Sequence, residues 1–506
     1  MWPTNRLNTL KFLCFILTFV SKNIHAKNLK GDSFRTSYES TFLQGEFASK
    51  LNSLHVLASP LPGEPFYPDF LEQDEEIKIP FQGRSGIFIV NDDFKKLMEV
   101  YPEYPATLNN VNLIDASHLQ SGKSKLQTWS YHSFPTYKGG LAQRFLDNRF
   151  SLSDSWLDYF HEYEKNPPEK LVAKGKIDIL SPLEKYEYLI GNTSFSLTKG
   201  QWMEGQKYFS EYGEVSTWIG YCHGTAPASI AVARPENAIT LKSFDKLKDI
   251  TFYPSDIKEL VSYAWAISGG PSAMIGTRCG EALTSGSRPT QNCLDVNPGA
   301  FHLTAVNLLG IHGQPFIIDS SSGYEVWNRT VISYKYRYFR PGSHNLTPNI
   351  KNALLARKDY VKDPYAQFRS PKATYIVGVS MEITYISSTK PSSSESDSPD
   401  QDEIGTSAYR YDLELDDNGV IVGGEWNDIN HPDFAWVVSK SLLPRTLYDH
   451  IIGNGLLTYT GQEPLPDSIL KNAHFASDNG EILYSVLEAM VRLSRAQSKE
   501  YMYRVE

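Results

Sequence analysis

Cysteine is scarce in this chain: four residues in 506, at positions 14, 222, 279 and 293. That excludes a scaffold held together by a dense disulfide framework. Long apolar runs are scarcer still. Beyond the first 26 residues no apolar stretch reaches the roughly 18 residues of a membrane span, so no stable membrane insertion is expected. Positive charge is not in excess either. The formal net charge is −9, which argues against nucleic acid as a partner. There is no internal repeat, so solenoids and propellers are set aside. No acidic run has the spacing and glycine of a calcium loop, and the residues themselves give no metal site.

What is present is the composition of a globular protein, 41% hydrophobic and 21% charged, with length for more than one core. Residues 1–26 read as a secretory signal peptide. Arg6 and Lys11 form its charged start, Phe12 to Val20 its apolar run, and Ile24-His25-Ala26 its cleavage site. The expected location is therefore extracellular or periplasmic. The leader carries Arg6, Lys11 and Lys22 and no acid, so its removal takes the net charge from −9 to −12.

Cys14 leaves with the leader. Cys279 and Cys293 flank a loop rich in Gly, Ser, Thr and Pro, which an exported protein would close with a disulfide. Cys222 is then the odd thiol. It lies in Trp218-Ile219-Gly220-Tyr221-Cys222-His223-Gly224, a glycine-bounded turn running into a small-residue helical stretch to about Val232. At a helix N-terminus, free N–H groups and the dipole favour thiolate over thiol, and the thiolate is the nucleophile. A buried inert cysteine is the alternative.

Such a nucleophile needs a base, and the base an orienting partner. Among twelve histidines, His302 follows Asn297-Pro298-Gly299 at the start of a β-like run, Phe301–Leu309. Pro315–Asp319 reads as the returning strand, so the expected hairpin around Gly310–Gly313 places Asp319 near His302. Trp218 is a candidate for shielding the site or donating its indole N–H to an oxyanion. His431 with Asp433 forms a reserve pair. A thiol at a helix start plus a His–Asp hairpin, in the order Cys, His, Asp, fits an α+β papain-like or transglutaminase-like core: an antiparallel sheet with a helix carrying the nucleophile.

The expected organisation is a leader at 1–26 and an N-terminal region at 27–176, a pro-segment or accessory domain. It closes on a Pro/Lys-rich linker at Asn166–Lys176. A catalytic domain follows at 177–445, then a C-terminal extension at 446–506 packing on the core. Helices are expected at Pro182–Leu189, capped by Ser181 and Glu184, and at Asp256–Ile267. Strands are expected through Tyr324–Phe339, at Ala373–Ser387 and at Ala408–Leu415. Residues 389–405, rich in Ser, Pro, Asp and Glu, read as a disordered acidic insertion.

At these residues the chain resembles the transglutaminase elicitors, secreted protein-glutamine γ-glutamyltransferases of oomycetes with bacterial relatives. The resemblance is carried by Ser181-Pro182…Glu184-Lys185-Tyr186, Trp218…Gly220…Cys222-His223-Gly224…Ala226-Pro227-Ala228, Phe301-His302 and Phe316-Ile317-Ile318-Asp319. Further matching stretches are Glu325-Val326-Trp327-Asn328, Gly423-Gly424-Glu425-Trp426 and Asn430-His431-Pro432-Asp433-Phe434…Trp436. It implies attack by Cys222 on a glutamine side chain and transfer of the resulting thioester to a lysine amine. His302 would be base and acid, and Asp319 would orient it. The partners would be proteins with accessible Gln and Lys. Calcium dependence is implied by the resemblance alone, and the chemistry itself requires no cofactor. The same three residues would serve a secreted cysteine peptidase, amidase or glutamine deamidase. A surface-binding protein without catalysis is the third reading.

Overall fold

The computed structural model describes residues 93–496, apart from 102, 105–106, 151–152, 269–271, 278–294, 321–324, 429, 439–442 and 454. The leader, Cys14, Cys279 and Cys293 lie outside the described residues.

Seven helices matter to the site: α1 (Pro182–Ile190), α2 (Ser196–Tyr212), α3 (Cys222–Ala231), α4 (Pro254–Ser268), α5 (Pro298–Thr304), α6 (Asp467–Asp478) and α7 (Tyr484–Ala496). The main strands are β1 (Ser272–Gly276), β2 (Phe316–Asp319), β3 (Asn328–Phe339), β4 (Tyr375–Ile386), β5 (Ile404–Leu415), β6 (Ile421–Trp426) and β7 (Phe434–Val438). They pair in the order β6-β5-β4-β3-β2-β7-β1, every neighbour antiparallel. Mixed helix around an antiparallel sheet is what the sequence led us to expect.

Local chemistry accounts for the helix starts. Ser181 Oγ accepts from the Glu184 N–H while the Glu184 carboxylate accepts from the Ser181 N–H, and Pro182 supplies a helical φ at the first position. The same logic overturns the expected strand at Phe301–Leu309. Asn297 accepts from the N–H groups of Gly299 and Ala300, Pro298 follows, and α5 forms, continuing as a wider-pitched helix over Ala305–His312. Its three polar residues, His302, Thr304 and Asn307, are buried like the apolar ones around them, so its periodicity does not distinguish strand from helix. The start signal decides. No hairpin joins His302 to Asp319.

The sheet is a partition. Along β7, Phe434, Trp436 and Val438 face one core, and Ala435 and Val437 the other. On β2, Ile317 faces the first and Phe316 and Ile318 the second. The first core takes α1, α3, α4, α6 and α7, through residues such as Leu183, Ala226, Leu260, Ala473 and Leu487. The second takes α5 and its continuation, with Phe301, Leu303, Tyr336, Tyr338 and Tyr411. Each face therefore buries a different set of helices against one backbone layer.

Two expectations about connecting segments are corrected. The linker at Asn166–Lys176 holds a short helix, Pro168–Ala173, and its Leu171 is buried in the same core as Leu183. The acidic segment 389–405 is structured. Arg234 binds Asp397 and Asp402, and Lys258 Nζ lies 2.6 Å from Asp397. Opposite charges supplied from elsewhere in the chain order a stretch that its composition alone would leave solvated.

Candidate active site

The turn before α3 is fixed by backbone contacts. The Tyr221 N–H donates to the Ser133 carbonyl at 2.7 Å, and the Thr136 N–H to the Ile219 carbonyl at 2.8 Å. Gly224 lets α3 approach α4, since a side chain there would collide with the Ser262 carbonyl and Ala266. Cys222 thus becomes the first residue of α3, 8% exposed.

Its sulfur is met by the segment leading into β3. The thiol donates to the Val326 carbonyl at 3.6 Å, and the carboxamide Nδ2 of Asn328 donates to the sulfur at 3.5 Å. Asn328 is itself held. Its Oδ1 accepts from the Trp436 indole N–H at 2.8 Å, and its carbonyl accepts from the Tyr131 hydroxyl at 3.1 Å. Asp319 stands opposite Asn328 in the β2–β3 register and is fully buried. One of its oxygens accepts from the Trp327 N–H at 2.9 Å. These contacts set the thiol in opposing fields. The balance is a raised pKa, contrary to the thiolate-favouring environment expected at the helix start: burial pushes it up most, the Asn328 donors and the Arg329 guanidinium pull it down by less, and Asp319 pushes it up again.

Cys222 and Asp319 are thus brought to one face of the sheet. His302 is not. It lies on α5 against the other face, fully buried, with Nδ1 2.8 Å from the Tyr411 hydroxyl and its ring against Tyr336. Burial lowers its pKa to about 3, so the ring is neutral. The expected partnership with Cys222 depended on a hairpin that is a helix here, and the strands stand between the two side chains. The reserve pair is also rearranged. His431 Nε2 lies 3.0 Å from Asp295 rather than at Asp433, and its Nδ1 donates to the Asp428 carbonyl. His223 stacks on Tyr221, and burial takes its pKa to about 4. Trp218 is half-buried, packed against apolar side chains of the first core.

Sequence reasoning missed Asn328 as a neighbour of the sulfur, and Trp436 and Tyr131 as the groups that hold Asn328. Asn328 and Trp436 lie within stretches carrying the family resemblance, but nothing in them signals that they meet. Tyr131 carried no signal at all.

Among the described residues no three His, Cys, Asp or Glu side chains converge as a metal ion would need. The acids that do gather, Asp363, Asp412 and Glu414, surround the buried guanidinium of Arg369. No helix among the described residues is long and apolar enough to cross a membrane.

Comparison with known proteins gives a family and a similar fold. A family model described as transglutaminase elicitor matches residues 96–456. Among solved structures, the GP42 transglutaminase from Phytophthora sojae is similar in fold, with a TM-score of 0.50 at 18% identity, over 81% of this chain and 99% of that one. A search of curated proteins finds no match.

Proposed function

The chain belongs to the transglutaminase elicitor family, and from that premise we propose that it is a secreted protein-glutamine γ-glutamyltransferase with Cys222 as nucleophile. One observation carries the reading: a sulfur at the first position of a buried helix, facing a carboxamide donor. Helix N–H groups and an amide donor are what a thiolate needs when water is largely excluded.

In this reading the sulfur attacks the carboxamide carbon of a glutamine side chain. The C–N bond breaks, and the thiol proton departs with the nitrogen as ammonia. A lysine amine then attacks the thioester. The C–S bond breaks, an isopeptide bond forms, and the amine returns a proton to the sulfur. Asp319 acts as a positioning residue, holding the Trp327 N–H and with it the approach of Val326 and Asn328 to Cys222. His302, across the sheet, takes no part in these steps.

The test is incubation of the full secreted chain with a glutamine-donor protein and a labelled primary amine. Incorporation of the amine is expected. Ammonia release without incorporation would replace the transferase by a deamidase, and backbone cleavage would replace it by a peptidase. An inert protein would leave the non-catalytic binding role.

A further inference from the structure

Asn328 is the polar side chain given to the sulfur, and its orientation is not free. A carboxamide has a donor end and an acceptor end. The Trp436 indole N–H can only donate, so it selects Oδ1, and at 2.8 Å it leaves Nδ2 to face Cys222. Tyr131 pins the backbone of the same residue through its carbonyl. All three side chains are buried: Asn328 is 1% exposed, Trp436 3% and Tyr131 1%.

We propose that Asn328 is a catalytic residue that stabilises the anionic sulfur of Cys222, and that Trp436 is the positioning residue that locks the carboxamide with its donor toward that sulfur. This rests on Cys222 being the nucleophile of the reaction set out above. Physically, an anion buried with one charged neighbour of its own sign, Asp319, has to be met by fixed donors. The backbone N–H of Asn328 supplies a second donor from the same residue. Donors fixed before the reaction cost no reorganisation when charge appears. Were the amide reversed, its oxygen would face the sulfur and oppose the thiolate.

The device also explains a requirement on β7. Trp436 faces the core of α3 and α4, where any large apolar residue would fill space. Only tryptophan, among residues of that size, has a ring N–H without a competing acceptor.

The test is the pH dependence of Cys222 alkylation by iodoacetamide in the full chain, read by mass spectrometry on the Cys222 peptide, for the unaltered protein, Trp436→Phe and Asn328→Leu. Both variants are expected to move the titration midpoint up by about one unit, roughly a tenfold loss of thiolate at neutral pH. Near-UV circular dichroism and melting curves check that they fold. A midpoint unmoved in both folded variants would overturn the proposal, because a purely structural Trp436 or Asn328 would alter stability without moving it. A crystal structure of the unaltered protein decides the matter should either variant fail to fold. Asn328 Nδ2 within hydrogen-bond reach of the sulfur and the indole on Oδ1 support the assignment, and the reversed amide or a sulfur out of reach sinks it. Alkylation needs no glutamine substrate. A protein that titrates as expected yet transfers no acyl group would therefore remove the transferase reading alone.

Discussion

Asp319 and Asn328 are cross-strand partners on β2 and β3, a buried carboxylate directly beside the carboxamide that touches the Cys222 sulfur. The pair puts a destabilising and a stabilising influence on one thiolate. Asp319→Asn keeps an oxygen for the Trp327 N–H but removes the negative charge. Alkylation of Cys222 at neutral pH should then speed up, because removing the like charge lowers the thiol pKa. If Asp319 instead oriented an imidazole base, amine incorporation would collapse while alkylation slowed, and that result would refute the positioning role.

Cys222→Ala should abolish amine incorporation. The site is buried but the group removed is small, so the stability cost should stay near about 1 kcal/mol. Denaturant titration gives that number alongside the activity assay. Residual incorporation at wild-type rate would remove Cys222 from the chemistry.

His302→Gln should leave amine incorporation essentially intact, because the ring lies on the far face of the sheet. Its cost should appear in stability, about 1–3 kcal/mol for the buried bond to Tyr411. The pH dependence has a definite sign. Burial lowers the folded pKa to about 3 from an ordinary value near 6.5. The unfolded chain therefore binds the extra proton first as pH falls. Stability attached to His302 is present above about pH 6.5 and is lost as pH falls from there toward 3, at up to about 1.4 kcal/mol per pH unit. The variant should lose less stability than the unaltered protein between pH 7.5 and 5, as compared by urea unfolding. Loss of turnover with unchanged stability would restore His302 to the catalytic machinery.

Arg234→Ala should free the acidic segment 389–405. The guanidinium is buried and bridges Asp397 and Asp402, so its loss leaves Asp397 with Lys258 and Asp402 with the Ser130 N–H but no cation joining the two. A cost of about 3–5 kcal/mol is expected for removing one partner of such a network. New proteolytic cleavage within 389–405 is the direct readout. An unchanged digestion pattern would show that the segment is held by other contacts.

Much of the local structure was legible because it is written in short-range chemistry. Ser181 with Glu184 announced α1, the glycine-bounded turn announced α3, and β3, β4 and β5 lie close to their expected positions. The failures are long-range or degenerate. Phe301–Leu309 is buried as a helix on all sides, its polar His302, Thr304 and Asn307 included, so its pattern shows no exposed face from which to read a period. The order of 389–405 depends on Arg234 and Lys258, more than a hundred residues away. The same holds for the site: Cys222 could be found from its own neighbours, but its contact with Asn328, and that of Asn328 with Trp436, exist only after three separate elements have packed.

Because the first residues of β3, Asn328 to Val331, pack against both compartments, threading errors there are punished twice. A slip of one position would aim Arg329 at the thiol and drive Asn328 among tyrosines. The irregularity between Val331 and Ser333, where the pairing with β4 shifts, marks where the strand changes which of its side chains serve which compartment. A single inserted or deleted residue upstream of that bulge would disarm the thiol while the tyrosine side stayed in place, yielding a folded but inert protein.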